Sequence, residues 1–274
     1  MLSYRHGYHA GNHADVLKHA VLAFCLDYMM QKPKPVFVID THAGAGRYDL
    51  GHAFATKTAE WQDGIGRVFG APGTPELLRR YLDIVEAQNA DGALHWYPGS
   101  PSIIGSILRP EDRVRLVELH PSDHDDLDRA FRRRAVKGDG FRELVAAMPP
   151  RERRGLALID PSYEIKDDYA RVAEAVRAAH RRFATGTFVV WYPVVDRART
   201  ETMLDELAES GIRGQYRIEI AIAPDSPGHG MTAAGVLVIN PPWPLPQAAE
   251  AALPWLAERL AARGPLRATW SVPE

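Results

Sequence analysis

The sequence has almost no cysteine and no long apolar segment. Cys25 is the only cysteine in the chain, which excludes an intrachain disulfide, and it lies in a helical pattern where a small core residue is expected. The first residues lack the apolar stretch of a signal peptide. The most hydrophobic helical pattern, at 16–30, carries Lys18, His19 and Asp27 and is too short and too polar to cross a bilayer. A protein of the reducing cytoplasm with no membrane partner is the simplest interpretation.

An excess of positive charge is also missing. The formal net charge of −2 argues against a globally basic, histone-like binder of nucleic acids, but it allows a local basic patch. Arginines do cluster at 132–134, 151–154 and 181–182, where solvated helix ends and phosphate contacts are both open interpretations. With 46% hydrophobic and 25% charged residues, the 274-residue chain can build a full core, as one large domain or a domain with an insertion.

The most informative segment that is present ends in Asp160, Pro161, Ser162 and Tyr163, after an apolar run typical of a buried strand. It is close to the Asp/Asn-Pro-Pro-aromatic motif of methyltransferases that act on the exocyclic amine of a nucleobase. The lone pair of that amine is delocalised into the ring. A carboxylate and a carbonyl that accept its hydrogens favour the nucleophilic geometry, and an aromatic face holds the base. Asp160, the Pro161 carbonyl and Tyr163 are the predicted catalytic groups.

The match is imperfect because Ser162 stands where the motif has a second proline. Proline fixes φ and removes an N–H donor, so we expect a less rigid loop here. An ordinary strand-to-helix turn is the alternative, since Asp-Pro-Ser suits turns in general. A four-residue pattern alone does not decide between the two.

A glycine-rich turn follows the first predicted strand. Its Gly44 and Gly46 let the backbone approach a ligand closely. A dinucleotide site is the rival, but Asp49 stands where its third glycine would be, and Glu118, the next acid that ends a strand, lies far beyond the spacing of about 20 residues. Asp40 would also repel a pyrophosphate, whereas it suits the amino group of methionine.

Two further acids end predicted strands. Glu118 is placed to accept hydrogen bonds from both ribose hydroxyls of S-adenosylmethionine, and Asp139, between Gly138 and Gly140, is placed to bind its adenine amino group. Each is weak alone, because surface acids at strand ends are common. The ordered series of glycine-rich turn, ribose acid, adenine acid and Asp-Pro-Ser-Tyr is specific, since the carboxyl ends of parallel strands share one rim of a sheet.

Apolar runs alternate with helical patterns, which predicts an α/β fold with a parallel sheet between helices. The predicted strands lie at 36–40, 114–119, 135–137, 156–160, 187–192, 216–223 and 235–240. The turn-rich link between the last two has no room for a helix, so we expect a hairpin. Seven strands with the last antiparallel is the Rossmann-like architecture of class I S-adenosylmethionine-dependent methyltransferases.

The interval between the first two strands is too long for one crossover. Helical patterns at 56–69 and 75–89, the second with Thr74 as its cap, fill it. We therefore expect an inserted helical subdomain at residues 51–97 within a methyltransferase domain of residues 1–50 and 98–274.

Asn240-Pro-Pro-Trp243 matches the amino-methylating motif better than residues 160–163 do. Topology argues against it, because the carboxyl end of an antiparallel last strand points to the opposite rim. We interpret the two prolines as a strand terminator and Trp243 as a packing residue.

The amino-terminal part is rich in histidine. His9 and His13 are four residues apart, as in some metal sites, but no HExxH motif or cysteine accompanies them, so no metal is predicted. A better interpretation is a lid that contacts nucleic acid and the carboxylate of S-adenosylmethionine, formed by Tyr4, Arg5, His6 and Lys18.

Longer blocks carry a resemblance to a known family. They are Met1–His19, Asp40–Tyr48, Tyr97–Pro101, Glu118–Pro121, Trp191–Val194, Met231–Gly235 and Asn240–Trp243. These blocks resemble the bacterial 23S ribosomal RNA adenine-N6 methyltransferases from end to end. The resemblance implies a cytoplasmic enzyme that methylates one adenine of protein-free 23S rRNA, before subunit assembly and without an obligate protein partner.

The resemblance also implies roles for individual residues. By their positions in the matching blocks, the cofactor-lining residues would be His19, His42, Ser100, Glu118, Asp139 and Gly140. Asp160 would be the catalytic acceptor and Tyr4 would contact the RNA. Family members usually have a second proline in the catalytic motif, so Ser162 leaves the geometry of that loop open.

Two other functions stay open from the residues alone. An adenine-N6 DNA methyltransferase would share the catalytic motif, because nothing in the residues recognises a 2′-hydroxyl. A catalytically silent RNA-binding protein on the same scaffold is the other, with Ser162 as the hint. Retention of Gly44, Gly46, Glu118, Asp139 and Asp160 together argues against the silent scaffold.

Overall fold

The protein is described from a computed structural model that covers residues 5–131, 135–226 and 230–273. After a short 3-10 turn, His6–Tyr8, the helices are α1 (His13–Met30), α2 (Ala53–Thr58), α3 (Glu60–Asp63), α4 (Ile65–Val68), α5 (Glu76–Ala87), α6 (Ser100–Ile107), α7 (Pro121–Ala130), α8 (Gly140–Ala146), α9 (Asp168–Arg182), α10 (Arg197–Ala208) and α11 (Leu245–Arg259). The strands are β1 (Phe37–Asp40), β2 (Arg47–Asp49), β3 (Trp96–Pro98), β4 (Arg113–Glu118), β5 (Ala135–Lys137), β6 (Gly155–Ile159), β7 (Thr187–Val194), β8 (Gln215–Ala221), β9 (Ala233–Ile239) and β10 (Leu266–Val272).

Within the described residues the main sheet has eight strands in the order β10-β8-β9-β7-β6-β1-β4-β5. The five strands β5, β4, β1, β6 and β7 are parallel to one another. Strand β9 runs antiparallel between β7 and β8, as the turn-rich link predicted. The expected Rossmann-like class I sheet is confirmed, with one edge strand more than predicted, β10, which pairs antiparallel with β8.

The core lies on both faces of this sheet. Consecutive side chains of a strand point to opposite faces, so Val38 joins one apolar cluster while Phe37 and Ile39 join the other. The first cluster includes side chains of α1, α5, α6 and α11, and the second includes those of α8, α9 and α10. Because both faces are covered, the central strands are continuous apolar runs in the sequence.

The helical patterns predicted at 16–30 and 75–89 both form helices. Asn12 caps α1, because its side-chain oxygen accepts from the amides of Ala14 and Asp15. The pattern at 75–89 forms α5, but Thr74 was the wrong cap, since its hydroxyl donates to the carbonyl of Ala71 instead.

The single helix expected at 56–69 is wrong, because the segment forms the three short helices α2, α3 and α4. Ala59 separates α2 from α3 with a left-handed backbone, φ +52°. Gly64 separates α3 from α4, with dihedrals far from helical values. Each break follows from a local backbone state that an apolar pattern does not encode.

The inserted segment, residues 51–97, is bracketed by a separate two-stranded sheet in which β2 pairs with β3. Its apolar side chains, including Ile65, Leu78 and Tyr81, belong to the same cluster as those of α1 and the first face of the sheet. The segment is therefore packed against the core of the main sheet. Its description as a subdomain remains a prediction.

The second candidate motif lies on the rim opposite the predicted site. Ile239 pairs with Phe188 near the start of β7, so Asn240 follows at the amino ends of the parallel strands. The topological argument against it is confirmed. The expectation that Trp243 is a packing residue is wrong, since Trp243 is 75% exposed.

Among the described residues, no helix combines the length and hydrophobicity that a membrane span requires.

Candidate active site

A cleft that opens to solvent lies at the carboxyl ends of β1, β4, β5 and β6. It brings together most of the predicted site residues, which come from the amino-terminal segment, α1 and four strand ends. Those that line it are His6, Lys18, His19, His42, Gly44, Ser100, Glu118, Asp139, Gly140, Asp160 and Pro161. Gly46 and Tyr163 do not line it, and Tyr4 lies outside the described residues.

The glycine-rich turn and the end of β4 are joined by hydrogen bonds. The amide of Gly44 donates to Glu118 Oε2 at 2.8 Å, and the amide of His120 donates to Oε1 at 2.7 Å. Burial raises the pKa of Glu118 despite these two bonds. The carboxylate oxygens keep further lone pairs, so Glu118 can still accept from a diol in the cleft.

Gly46 does not line the cleft, but it holds the glycine-rich turn in place. Its backbone is left-handed, φ +80°, and a Cβ there would lie 2.6 Å from the Phe131 ring, so only glycine fits. Its carbonyl accepts from the Gly99 amide at 3.0 Å and from the Ser102 hydroxyl at 2.6 Å. Gly46 therefore ties the turn to the start of α6, where Ser100 faces the cleft.

Asp139 caps α8 and forms an ion pair that the sequence analysis missed. Its Oδ1 accepts from the amides of Phe141 and Arg142, and its Oδ2 lies 2.6 Å from Arg171 Nη2. Burial opposes ionisation of Asp139, but the Arg142 amide and the Arg171 charge outweigh it and lower its pKa. The guanidinium of Arg171 also covers the Phe141 ring at 4.3 Å.

Gly140 allows α8 to approach the end of β1. A Cβ on Gly140 would lie 2.0 Å from the Thr41 carbonyl oxygen, so a larger residue would force the two elements apart. Next to this contact, the Thr41 hydroxyl lies 2.8 Å from His42 Nδ1, and the His42 ring meets the Phe141 ring edge-on at 5.1 Å. Burial lowers the pKa of His42 to about 3, so this ring is neutral at pH 7.

Asp40 is the buried acid at the end of β1. Its Oδ1 accepts weakly from the His42 amide at 3.3 Å, while its Oδ2 has no hydrogen-bond partner among the described residues. Burial raises the pKa of Asp40 to about 7, and Ser100 opposes that rise. A buried carboxylate oxygen without a donor is costly unless a ligand supplies one. The ammonium group of the methionine part of S-adenosylmethionine is a donor of the right charge, so this end of the cleft fits the cofactor.

Asp160 follows β6 and is held by a lysine from α1. Lys18 Nζ lies 2.6 Å from Asp160 Oδ2 and 2.8 Å from Asp15 Oδ1, and its side chain is only 3% exposed. Burial opposes the charge of Lys18, but the two carboxylates outweigh it and raise its pKa. Burial raises the pKa of Asp160, and Lys18 opposes that rise. A cation therefore already occupies one oxygen of the predicted catalytic acceptor.

Tyr163 is the last residue of the catalytic loop, which we define as residues 160–163, and it does not line the cleft. Its hydroxyl donates to the Trp191 carbonyl at 2.7 Å, and its ring packs 4.6 Å from that of Tyr169. Its backbone is left-handed, with φ +55°, and the side chain is buried. The ring therefore faces the core in this conformation, and its stacking on a base remains a prediction.

His6, one of the residues of the predicted lid, contacts the ion pair of Asp15 and Lys18. His6 Nε2 lies 2.9 Å from Asp15 Oδ2, and its ring packs against that of Tyr48. His9 lies away from the cleft and pairs instead with Glu60 of the inserted segment at 3.0 Å. Within the described ranges no set of histidine, cysteine and acidic side chains is arranged to hold a metal ion.

The arginines at 151–154 lie before β6, on the rim opposite the cleft. Arg154 donates to the carbonyls of Met29 and Lys34, and Arg151 pairs with Glu152. The two contacts of Arg154 join the segment before β6 to the end of α1 and to the loop before β1. The cluster at 132–134 lies outside the described residues, and Arg181 and Arg182 are exposed at the end of α9.

Asp15 and Arg171 were the main residues that sequence reasoning missed. A usable signal existed for Asp15, since Asp15 and Lys18 are three apart and share one face of α1. Arg171 carries no such signal, because its contact with Asp139 joins α9 to the turn after β5 and depends on tertiary packing.

The site can therefore hold a cationic, nucleoside-containing cofactor beside an amine acceptor. Comparisons with known proteins agree. A family model described as "Ribosomal RNA large subunit methyltransferase D, RlmJ" matches residues 33–272. The chain is 48% identical to Ribosomal RNA large subunit methyltransferase J of Escherichia coli (strain K12), with 100% of both chains covered. It is 47% identical to the Haemophilus influenzae protein of the same name, with 99% of this chain and 98% of the other covered.

A solved structure agrees with the fold. A crystal structure of a Legionella pneumophila protein is 38% identical and superposes with a TM-score of 0.85, covering 92% of this chain and 94% of that one. Matches of this length and identity, together with the sheet order and the cleft, lead to one assignment. The chain belongs to the ribosomal RNA large subunit methyltransferase J family, and it is a class I S-adenosylmethionine-dependent methyltransferase.

Proposed function

We propose that this chain methylates the N6 amine of one adenine in 23S ribosomal RNA, in the cytoplasm, on protein-free rRNA before subunit assembly. The observation that carries the proposal is Asp160, a carboxylate at the end of β6 whose side chain is 11% exposed and lines the cofactor cleft beside Pro161. The names of the two curated relatives support ribosomal RNA as the substrate. Asp160 and the Pro161 carbonyl would accept hydrogen bonds from the target amine.

The cofactor is expected to lie along the strand ends. Asp40 would accept from its ammonium group, Glu118 from its ribose, and Asp139 with the backbone at Gly140 would meet its adenine. Bound S-adenosylmethionine supplies a methyl group on a positively charged sulfur, which is a good leaving group. His42, Gly44 and Ser100 would complete the wall of the cleft.

The target adenine must leave its stack, which costs a few kcal/mol and less in a single-stranded loop. Asp160 and the Pro161 carbonyl would then accept from the two hydrogens of N6, which favours the nucleophilic form of the amine. Positioning and fixed charge account for the rate in this scheme. Asp160 need not take a proton before attack, because the alkylated amine releases one readily.

Lys18 gives this scheme a specific requirement. Asp160 Oδ2 is occupied by Lys18 Nζ at 2.6 Å, so the amine must use the other oxygen or displace the lysine. A lysine that stays beside Asp160 favours the ionised carboxylate and so opposes the rise in pKa that burial causes. Lys18 therefore acts on the acceptor, in addition to the contact with the carboxylate of the cofactor that the lid interpretation assigns to it.

The test is transfer of labelled methyl from S-adenosylmethionine by the purified protein alone. The substrates are protein-free 23S rRNA that lacks the modification, assembled large subunits and duplex DNA. We expect label in free rRNA only, released as N6-methyladenosine after digestion. Asp160→Asn, which keeps the shape but weakens the acceptor, should lower turnover at least about 100-fold and leave S-adenosylmethionine binding within a few-fold.

Each other outcome has a defined meaning. Label in DNA would assign the rival DNA methyltransferase function. Label only in assembled subunits would contradict the proposed timing. An unaltered protein that binds S-adenosylmethionine yet labels nothing would favour the silent RNA-binding scaffold, and near-normal turnover of Asp160→Asn would remove the assigned role of that residue.

A further inference from the structure

Three buried polar side chains connect the inserted segment to the cofactor cleft. Tyr81 of α5 and Tyr97 of β3 have their hydroxyl oxygens 3.1 Å apart, and the Tyr97 hydroxyl lies 2.8 Å from Nδ1 of His19 on α1. Both tyrosines are 0% exposed and His19 is 1% exposed. His19 lines the cleft, so the chain of contacts starts in the insertion and ends at the cofactor site.

Counting donors fixes the direction of these two hydrogen bonds. Each tyrosine has one hydroxyl hydrogen, and neither hydroxyl has another partner within the described residues. If Tyr81 donates to Tyr97 and Tyr97 donates to His19 Nδ1, both buried hydrogens are satisfied. In the reverse direction His19 donates to Tyr97 and Tyr97 to Tyr81, which leaves the Tyr81 hydrogen buried without an acceptor. A buried donor without a partner is rare and costly, so the first direction is favoured.

This direction determines what His19 presents to the cleft. Burial lowers the pKa of His19 well below its usual value, so the ring is neutral and carries one hydrogen. An Nδ1 that accepts from Tyr97 requires that hydrogen to be on Nε2. Nε2 has no hydrogen-bond partner within the described residues. His19 therefore offers an N–H donor without adding a charge.

The amino-acid end of the cleft is the place for that donor. Tyr97 lies three residues before Ser100, so one short segment positions both, and α1 packs against α6, which begins at Ser100. Asp40, which suits the ammonium group, interacts with Ser100 at this end. Asp139 marks the opposite, adenine end. At this end of the cleft, the group of S-adenosylmethionine that can accept a hydrogen bond from a neutral N–H is the carboxylate of its methionine part.

We propose that Tyr97, oriented by Tyr81, is a positioning residue that holds His19 in its Nε2-protonated tautomer, so that the inserted segment prepares a donor for the carboxylate of S-adenosylmethionine. The inference rests on the proposed function for the identity of the ligand. It assigns the insertion a part in cofactor binding. Tyr97 and Tyr81 do not touch the cofactor in this scheme and act only through His19.

The first test reads the tautomer in the ligand-free, full-length protein. Long-range ¹H–¹⁵N correlation spectra of ¹⁵N-histidine-labelled protein distinguish Nε2–H from Nδ1–H by the chemical shifts of the two nitrogens, with His19→Gln used for assignment. We expect His19 to be neutral and protonated at Nε2 in the unaltered protein. In Tyr97→Phe we expect a mixture of tautomers, because the donor to Nδ1 is gone.

The second test measures binding of S-adenosylhomocysteine, which has the same carboxylate, by calorimetry. Tyr97→Phe should bind about 3- to 10-fold more weakly, the usual effect of one hydrogen bond, and Tyr81→Phe should have a smaller effect in the same direction. Tyr216→Phe is the matched control, because Tyr216 is also 0% exposed and its hydroxyl donates to Pro246, far from the cleft. Its binding should equal that of the unaltered protein.

The outcomes separate this proposal from the proposed function. An Nδ1-protonated or charged His19 in the unaltered protein would overturn the proposal, and this needs no variant to fold. Unchanged tautomer and unchanged binding in folded Tyr97→Phe would overturn it too. Absence of S-adenosylhomocysteine binding by the unaltered protein would overturn the proposed function instead, while the tautomer would still report on the hydrogen-bond direction.

Discussion

At the scale of single residues, Asp40, which is fully buried, and Asp160, which is 11% exposed, are carboxyl groups at the ends of neighbouring strands with different partners. Asp160 has Lys18 at 2.6 Å, whereas one oxygen of Asp40 has no partner among the described residues. Burial raises the pKa of both, to about 7 for Asp40. The same strand-end geometry thus gives one carboxylate with a permanent cation and one that becomes fully ionised when a ligand cation arrives.

This difference predicts how cofactor binding depends on pH. Below pH 7 the Asp40 carboxyl holds a proton that must leave before it can pair with an ammonium group, so S-adenosylmethionine affinity should fall by up to about tenfold per pH unit. Above pH 7 this dependence should vanish. The free energy of unfolding of the free protein depends on pH in the opposite direction. Between 3.8 and about 7 the folded state keeps a proton that the unfolded state has lost, so this group lowers the stability of the free protein as pH rises.

Calorimetric titrations from pH 5.5 to 8 with Asp40→Asn as the control would measure this. The variant should bind more weakly and without that pH dependence, since its amide does not titrate. An equally steep dependence in Asp40→Asn would move the effect to another group, with Glu118 next in order because burial also raises its pKa.

Ser162 allows a second test at this scale. Its backbone N–H has no backbone acceptor among the described residues, and its hydroxyl lies at 3.5 Å from the Glu164 amide, at the limit of a hydrogen bond. Proline at this position would therefore remove little and would restrict the unfolded chain. We expect Ser162→Pro to stabilise the protein by about 0.4–1 kcal/mol and to keep methyl transfer within about threefold.

Thermal unfolding and single-turnover methyl transfer check both parts. Ser162→Ala is the control that removes the hydroxyl without fixing φ, and it should change neither quantity measurably. Loss of activity in Ser162→Pro with an intact fold would show that the loop needs the freedom that serine gives it.

How far the site could be predicted depends on which element supplies a residue. Glu118, Asp139 and Asp160 could be found because they end parallel strands, and the sheet necessarily brings such ends to one rim. The ion pair of Arg171 with Asp139 could not, because the face that a helix turns toward the sheet depends on its packing. The inward orientation of Tyr163 is likewise a loop conformation that its residue type does not encode.

At the scale of elements, the backbone at the junction of α3 and α4 is in close contact with Gly11, just before α1. The Ile65 amide donates to the Gly11 carbonyl at 2.8 Å, and a Cβ on Gly64 would lie 2.1 Å from that carbonyl oxygen. Backbone atoms cannot move aside as a flexible side chain can. Glycine at 64 is therefore what lets the inserted segment approach the helix that holds Lys18 and His19.

We accordingly expect Gly64→Ala to destabilise the protein by about 2 kcal/mol or more, and to weaken S-adenosylmethionine binding because α1 would shift. Denaturant unfolding and calorimetry measure the two effects. Gly105→Ala is the matched control, since its Cβ would meet only the Phe131 ring at an ordinary 3.6 Å within α6. That change should be neutral or stabilising. A Gly64→Ala variant as stable as the control would contradict the tight junction.

Strands with two buried faces and long helices were predictable, and most short or half-exposed elements were not. Strands β1 and β6 are buried along their whole length and appear as apolar runs. Strand β10 was missed because it is a half-exposed edge strand in which Leu266, an apolar residue, points outward. Strands β2 and β3 have three residues each and were missed, whereas β5, which is equally short, is marked by the glycines at 138 and 140 that follow it.

At the scale of the whole molecule, the inserted segment shares its core with the main sheet. Leu78 of α5 is 0% exposed and belongs to one apolar cluster with Leu22 of α1 and Val38 of β1. Elements that share a core unfold together, because neither part can lose its partner's apolar surface without cost. We therefore expect one cooperative unfolding transition for the whole protein, with no separate transition for residues 51–97.

Leu78→Ala tests this expectation. The buried cavity should cost about 2–5 kcal/mol and shift the single transition as a whole, with fluorescence and circular dichroism still coincident. Leu207→Ala is the matched control, because Leu207 of α10 is equally buried in the cluster on the other face. It should shift the same transition by a similar amount. If Leu78→Ala instead produced a separate early transition while Leu207→Ala did not, the insertion would be an independent folding unit, and its tyrosines could not hold His19 as firmly as the cofactor site requires.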